Sequence, residues 1–333
     1  RFGISQTFPW LGKLKLQEEA SMAMANMAQQ RYESAKVSLF DEVKQSYFDY
    51  YYLGKSISIT AESVSLLKDF ERIARSKYES GSALYADLLK AQVELDEITD
   101  RLKTLQERIP PMVARFNAAL SREAAAPLPL PSEIVSFNSQ IDGQRLIKEL
   151  RKMNPDLRTI DYLEEKEDAG IRIAKKEYYP NITFGIDVVE TESALLSGGA
   201  DSGKDAVMVG FSANLPIWRK KLKAGVAEAE SRRLAAARSR IDLENQLGAK
   251  LELTLFKFQD AERKMKLYRD SLIGKAEQTL TVTRSAFEAG KVDFLSLIDA
   301  ERTLLEFKLN YEQAVTDREK AVSSIERIVG KSL

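Results

Sequence analysis

Residues Ala286 to Phe307 read A-F-E-A-G-K-V-D-F-L-S-L-I-D-A-E-R-T-L-L-E-F. A helical pattern reaches Gly290, breaks for a few residues and restarts at once as a heptad seam. Glycine suits the position just past a helix end because it enters the left-handed region without a Cβ clash. Asp293 is placed to cap the returning helix. The stretch predicts the tip of a long antiparallel helical hairpin.

The same plan occurs upstream, between Lys77 and Leu95, as K-Y-E-S-G-S-A-L-Y-A-D-L-L-K-A-Q-V-E-L. Gly81 matches Gly290, Leu88 matches Leu297 and Ala91 matches Ala300, each pair 209 positions apart. Pro9 and Pro216 are 207 apart, which implies one two-residue insertion between the copies. The chain reads as two halves built on one plan.

Composition narrows the chemistry. The 333 residues carry 50 acidic and 50 basic side chains, with no cysteine and no histidine. Structural zinc and Cys- or His-based catalysis are excluded, and the balanced charge gives no case for nucleic acid as a partner. No catalytic residue, metal ligand or cofactor site is expected. The lack of cysteine suits an extracytoplasmic protein. No apolar run approaches ~18 residues, so no transmembrane helix is expected. The sequence opens on Arg1 inside a strand pattern. Compared with the fuller second half, the first implies roughly 50 absent residues, so a missing signal peptide carries no weight.

In residues 1–10, Phe2, Ile4 and Phe8 alternate with Gly3, Ser5 and Thr7, and Gln6 is the exception. Period two predicts a strand, ended by Pro9. From Gly12 to Ser80 the sequence is helix-forming, with no proline and one interior glycine, Gly54. Some 65 residues at ~1.5 Å each give a rod on the order of 100 Å. After the tip, Leu88, Ala91, Leu95, Ile98, Leu102, Leu105 and Ile109 form an a/d seam. Pro110-Pro111 is expected to bend or perturb the return helix, and 121–132 reads as a semi-rigid connector.

A short amphipathic helix is expected over Asp142–Lys152, and a longer one from Asn154-Pro155 to about Tyr179. Two strands follow. Ile182, Phe184, Ile186 and Val188 share one face of the first; Val207, Val209, Phe211, Ala213 and Leu215 share one face of the second. A polar, Gly-rich segment from Glu190 to Asp205 joins them. Beyond Pro216 a second rod of about 70 residues reaches the Gly290 tip, and its return seam is interrupted by Arg318. The two shorter helices, laid end to end, would match one long rod in length. Three segments result: a first repeat (1–122), a connector (123–154) and a second repeat (155–333).

The strands alone fit a half-buried sandwich and an outer-membrane barrel equally. The aromatics favour the barrel. Trp10 and Trp218 follow the prolines that end equivalent strands, and Tyr178 and Tyr179 precede a strand. If the strands are antiparallel, all four lie at one height, as an interfacial girdle does. Lys13, Lys15, Arg219, Lys220, Lys221 and Lys223 come next and could meet lipid headgroups.

At this point the chain resembles the TolC-like outer-membrane efflux proteins, with a lean to the heavy-metal or cation branch. The resemblance rests on the duplicated plan and on the Y-E-S-G and F-E-A-G tips, followed by D-L-L-K-A and S-L-I-D-A. The N-P-D-L helix start and strands ending F-P-W and L-P-I-W add to it. It implies an exit-duct channel subunit of a tripartite efflux pump or type I secretion system, in the outer membrane of a Gram-negative bacterium. The implied fold is mainly α: coiled-coil hairpins form a periplasmic α-barrel joined to an outer-membrane β-barrel, in a homotrimer. Each subunit would give four strands, whereas this chain carries three, and an open edge is not tolerated in lipid. Implied partners are a periplasmic adaptor and an inner-membrane pump.

Gly81 and Gly290 satisfy hairpin geometry, and the resemblance adds close packing of adaptor helices there. It likewise places Asp87 and Asp299 at a constricted periplasmic entrance, with Ser296 standing where relatives carry a further acid. Lys90 and Arg302 are candidates to compensate their charge. The alternative is a periplasmic adaptor or other coiled-coil protein without a channel. That class should show one hairpin flanked by compact β-domain sequence, and two hairpins are present here.

Overall fold

A computed structural model of the chain describes residues 1–134, 141–192 and 203–333. The elements run in order β1 (Phe2–Phe8), α1 (Lys13–Glu79), α2 (Tyr85–Glu107), α3 (Ile109–Ala119), α4 (Gly143–Met153) and α5 (Pro155–Lys176). They continue with β2 (Ile182–Val189), β3 (Ala206–Ala213), α6 (Arg219–Leu267), a π turn (Tyr268–Leu272), α7 (Ile273–Glu288) and α8 (Phe294–Val329). Most of the Gly-rich segment expected between β2 and β3 lies outside the described residues. The chain divides into two compact units, residues 1–34 with 155–246 and residues 35–154 with 247–333.

The first unit contains an antiparallel sheet in the order β1-β2-β3. Next to it, α5 buries Leu157 and Ala169, while the facing helices bury Ala23, Met27, Ala229 and Ala236. Charges frame that contact on both sides: Arg172 pairs with Glu19 at 2.8 Å, and Arg240 with Asp161 at 2.6 Å.

The second unit holds a four-helix core. Val64, Leu67, Phe70 and Ala74 of α1 meet Ala91 and Ile98 of α2, Ala276, Leu280 and Phe287 of α7, and Phe294, Leu297, Ile298 and Leu304 of α8. The predicted seams are buried at Leu88, Ala91, Ile98, Leu297, Ala300 and Leu304, while Leu95, Leu102, Leu105, Ile109, Phe307 and Tyr311 are only half-buried. Arg318, the seam's interruption, is buried as well: its guanidinium lies 5.2 Å from the Phe258 ring centre and it pairs with Glu319.

Two local features have simple causes. Pro110 and Pro111 open α3 because they lack the N–H that α2 would need to continue; the Met112 amide resumes the ladder to the Arg108 carbonyl at 3.2 Å. Gly54 is explained by the connector, which crosses α1 there. A Cβ on Gly54 would meet Leu130 at 3.3 Å, and Tyr50 donates to the Leu128 carbonyl at 2.9 Å.

Candidate functional site

The register of the sheet decides which side chains share a face. Phe2, Val188 and Val207 form one row, followed by Ile4, Ile186 and Val209, then Gln6, Phe184 and Phe211, then Phe8, Ile182 and Ala213. Gln6 apart, this face is apolar, and it is exposed, with Ile4 at 76%, Val209 at 78% and Phe211 at 65%. The opposite face carries Gly3, Asp187 and Met208, then Ser5, Gly185 and Gly210, then Thr7, Thr183 and Ser212. Thr7 and Thr183 share a hydroxyl hydrogen bond of 2.8 Å across it. A continuous exposed apolar face marks a surface that meets something other than water.

Because the strands are antiparallel, Phe8, Ile182 and Ala213 lie at the same end of the sheet. Trp10, Tyr178, Tyr179 and Trp218 therefore adjoin that end. The rings of Trp10 and Tyr179 stack at 4.9 Å, inclined by 12°. Arg219 lies over Tyr178 and Lys176 over Tyr179, both at 5.7 Å from the ring centre. Lys15, Arg219, Lys220, Lys221 and Lys223 are exposed as expected. Lys13 is not: it is buried, and its Nζ pairs with Glu177 at 2.6 Å. That pair ties the start of α1 to the end of α5 and removes Lys13 from the headgroup set.

Both tips close in the same way. Gly81 and Gly290 each have φ +73°, and the amides of Ser82 and Lys291 reach back to the Lys77 and Ala286 carbonyls at 2.7 and 2.8 Å. This six-to-one bond in front of a left-handed glycine is the Schellman motif. No neighbour lies within 4 Å of a Cβ built on either glycine, so their backbone is open to approach. Asp293 caps α8, accepting from the Ser296 amide at 3.0 Å and its hydroxyl at 2.6 Å. Those two bonds hold its carboxyl below the usual range. Leu84, its counterpart at the first tip, supplies no side-chain cap.

Asp87 is half-buried, and Lys90 Nζ lies 3.9 Å from it. Asp299 is exposed and has no ion pair among the described residues. Arg302, expected to compensate it, feels its charge but makes its hydrogen bonds elsewhere: Nε donates to Glu94 Oε1 at 2.8 Å and Nη2 pairs with Oε2. Arg302 reaches across to α2 because its fork matches a carboxylate there bidentately. Sequence reasoning missed Glu94 and also Glu301, which is buried beside it.

The profile of the family described as "Outer membrane efflux protein" matches residues 2–110 and 146–331. The chain belongs to that family. This outer membrane efflux protein is 21% identical over 329 residues to the cobalt-zinc-cadmium resistance protein CzcC of Cupriavidus metallidurans, covering 96% of the chain and 74% of CzcC. Its fold is that of solved outer-membrane channels. The outer membrane protein VceC of Vibrio cholerae superposes with a TM-score of 0.85 at 16% identity, covering 99% of this chain and 79% of that one. CusC, whose structures describe transmembrane channel formation, gives 0.85 at 17% identity, with 99% and 77% covered. The family comprises passive channels of the outer membrane, not enzymes, that work with periplasmic adaptors and inner-membrane pumps.

Proposed function

We propose that the chain forms a homotrimeric exit duct, the outer-membrane component of a tripartite efflux pump or type I secretion system. The exposed apolar sheet face carries this reading: it suits acyl chains, while the Gly, Ser and Thr face suits an aqueous lumen. On this reading Trp10, Tyr178, Tyr179 and Trp218 sit in the bilayer interface. Gly81 and Gly290 present close-packing sites to adaptor helices, and Asp87 and Asp299 line the periplasmic entrance. The similarity to CzcC favours divalent or other heavy-metal cations as cargo.

The reading includes an internal duplication, 1–122 and 155–333 about the connector 123–154, and the π turn supports it. Gly81 follows Trp10 by 71 positions and Gly290 follows Trp218 by 72. Ile217, inserted between Pro216 and Trp218, supplies the other extra residue, so on this reading there are two single insertions in place of the one two-residue insertion expected from the sequence. A π turn closes i→i+5 and so holds one residue more than an α turn. The turn at Tyr268–Leu272 absorbs that residue within the second rod.

The experiment is extraction in mild detergent followed by mass measurement and planar-bilayer recording. A trimer that conducts is expected, with helical circular dichroism and a minor β component. A monodisperse monomer that stays soluble without detergent would sink the reading.

A further inference from the structure

Glu301 occupies a core position of α8, one turn from Leu297 and Ile298 on one side and from Leu304 and Leu305 on the other. It is 2% exposed. Oε1 shares a hydrogen bond with the Ser63 hydroxyl of α1, and Oε2 is buried without a hydrogen-bond partner. The charged groups facing it are Glu94 and Arg101 from α2 and Arg302 beside it on α8. From α7 the same cluster receives Ala276, Leu280 and Phe287, none of them charged. Arg302 is already spent on Glu94.

A carboxylate offers about four acceptor sites, and this site fills one. An ionised group left this incompletely paired in an apolar core is costly, whereas the neutral acid needs one hydroxyl partner and leaves only a carbonyl oxygen. Burial accordingly pushes the Glu301 carboxyl above the usual glutamate range. The Ser63 hydrogen bond opposes the shift, Glu94 adds to it, and Arg302 and Arg101 oppose it.

We propose that Glu301 is a proton-operated latch on the tip-proximal half of α8. Neutral, it packs against Ser63 and holds α8 to α1 and α2. Ionised, it favours a state in which this part of α8 moves away and the carboxylate reaches water. The packed state gains most below the unfolded glutamate pKa of about 4.3, and the gain is lost as pH rises through the raised value. Each pKa unit of the rise changes the opening equilibrium about tenfold. Asp299 lies two positions away, so release would reshape the proposed entrance. That consequence rests on the channel reading; the latch does not.

The test is hydrogen–deuterium exchange of α8 peptides spanning 294–309 in the full-chain detergent complex, from about pH 5 to about pH 8. Rates are corrected against an unstructured reference peptide. Wild type should lose protection as pH rises through this range. Glu301→Gln should stay protected throughout; Gln is the residue at the matching position, Gln92. A Gln variant with the wild-type pH step, or a flat wild type, overturns the latch. So does a Gln variant that fails to assemble, because a site that holds a neutral acid should accept its neutral isostere. Infrared difference spectra give a second readout: a protonated-carboxyl band lost in Glu301→Gln supports the latch, and its absence from wild type overturns it. Conductance recorded in parallel tests the channel reading separately.

Discussion

Lys77, in the last turn of α1, donates from Nζ to the Phe287 carbonyl oxygen at 2.7 Å and lies 5.1 Å from the centre of that residue's ring. The carbonyl belongs to the last turn of α7 and also accepts from the Gly290 amide at 3.0 Å, so Lys77 adds a further hydrogen bond to it. A cation there is favoured by the helix dipole as well. One tip therefore caps the other.

Lys77→Met keeps the aliphatic stem and removes the charge. It should cost about 1 kcal/mol locally and raise amide exchange at the 286–292 tip more than at the 78–84 tip. Equal exchange at both tips, or none gained, would show the contact to be energetically idle.

The tip glycines should be sensitive to any side chain, despite the open space around them. At φ +73° an L-residue pays roughly 1–2 kcal/mol, so Gly290→Ala should lower the melting temperature. Gly274, inside α7 with nothing within 4 Å of a built Cβ, is the control. Gly274→Ala should raise stability by up to about 1 kcal/mol, because alanine is the better helix former. Opposite signs for the two variants are the expected outcome of thermal melts in detergent.

The sheet offers a face test on one strand. Ile186 lies in the apolar row between Ile4 and Val209, and Thr183 on the other face opposite Thr7 and Ser212. Ile186→Arg should impair assembly, since Arg at the midplane of a membrane barrel costs roughly 2–4 kcal/mol. Thr183→Arg loses a hydroxyl hydrogen bond and should still assemble. The fraction of heat-resistant oligomer on gels reads the difference, and equal yields would mean the faces are misassigned.

How much of this was legible beforehand follows from which interactions are local. Strand faces, the Schellman tips and the Asp293 cap depend on neighbours a few residues away, and the sequence displays those directly. Lys13 was assigned to the wrong surroundings, and Arg302 was given only its lesser partner, Asp299, because their main partners are distant in sequence. Glu177 and Glu94 reach them only once separate helices pack. Glu301 was hidden for a further reason: within D-A-E-R a charged residue reads as solvated helix surface. Only the Ser63 hydroxyl, arriving from another helix, makes burial of that carboxyl tolerable. The Pro110-Pro111 perturbation was visible, but its outcome as the start of α3 depended on where α2 ended.

The entrance makes the most direct functional prediction. In a threefold channel Asp87 and Asp299 would each occur three times around one constriction, and low-dielectric walls focus the field of such a ring. Rings of this kind select cations. The compensation available within one chain is small: Lys90 stands 3.9 Å from Asp87, and Arg302 is held by Glu94. On the channel reading, the charge that these two leave uncompensated would act on ions. Single-channel recording of the double variant Asp87→Asn, Asp299→Asn should show reduced cation selectivity and weaker block by added divalent cations. Arg302→Gln should act oppositely on packing, because it leaves half-exposed space beside a buried Glu94 without a counter-charge, and should loosen α2 from α8 without removing the ring. Unchanged selectivity and block in the double Asn variant would mean that these aspartates are ordinary solvated helix residues, and the constriction would have to be sought elsewhere along α2 and α8.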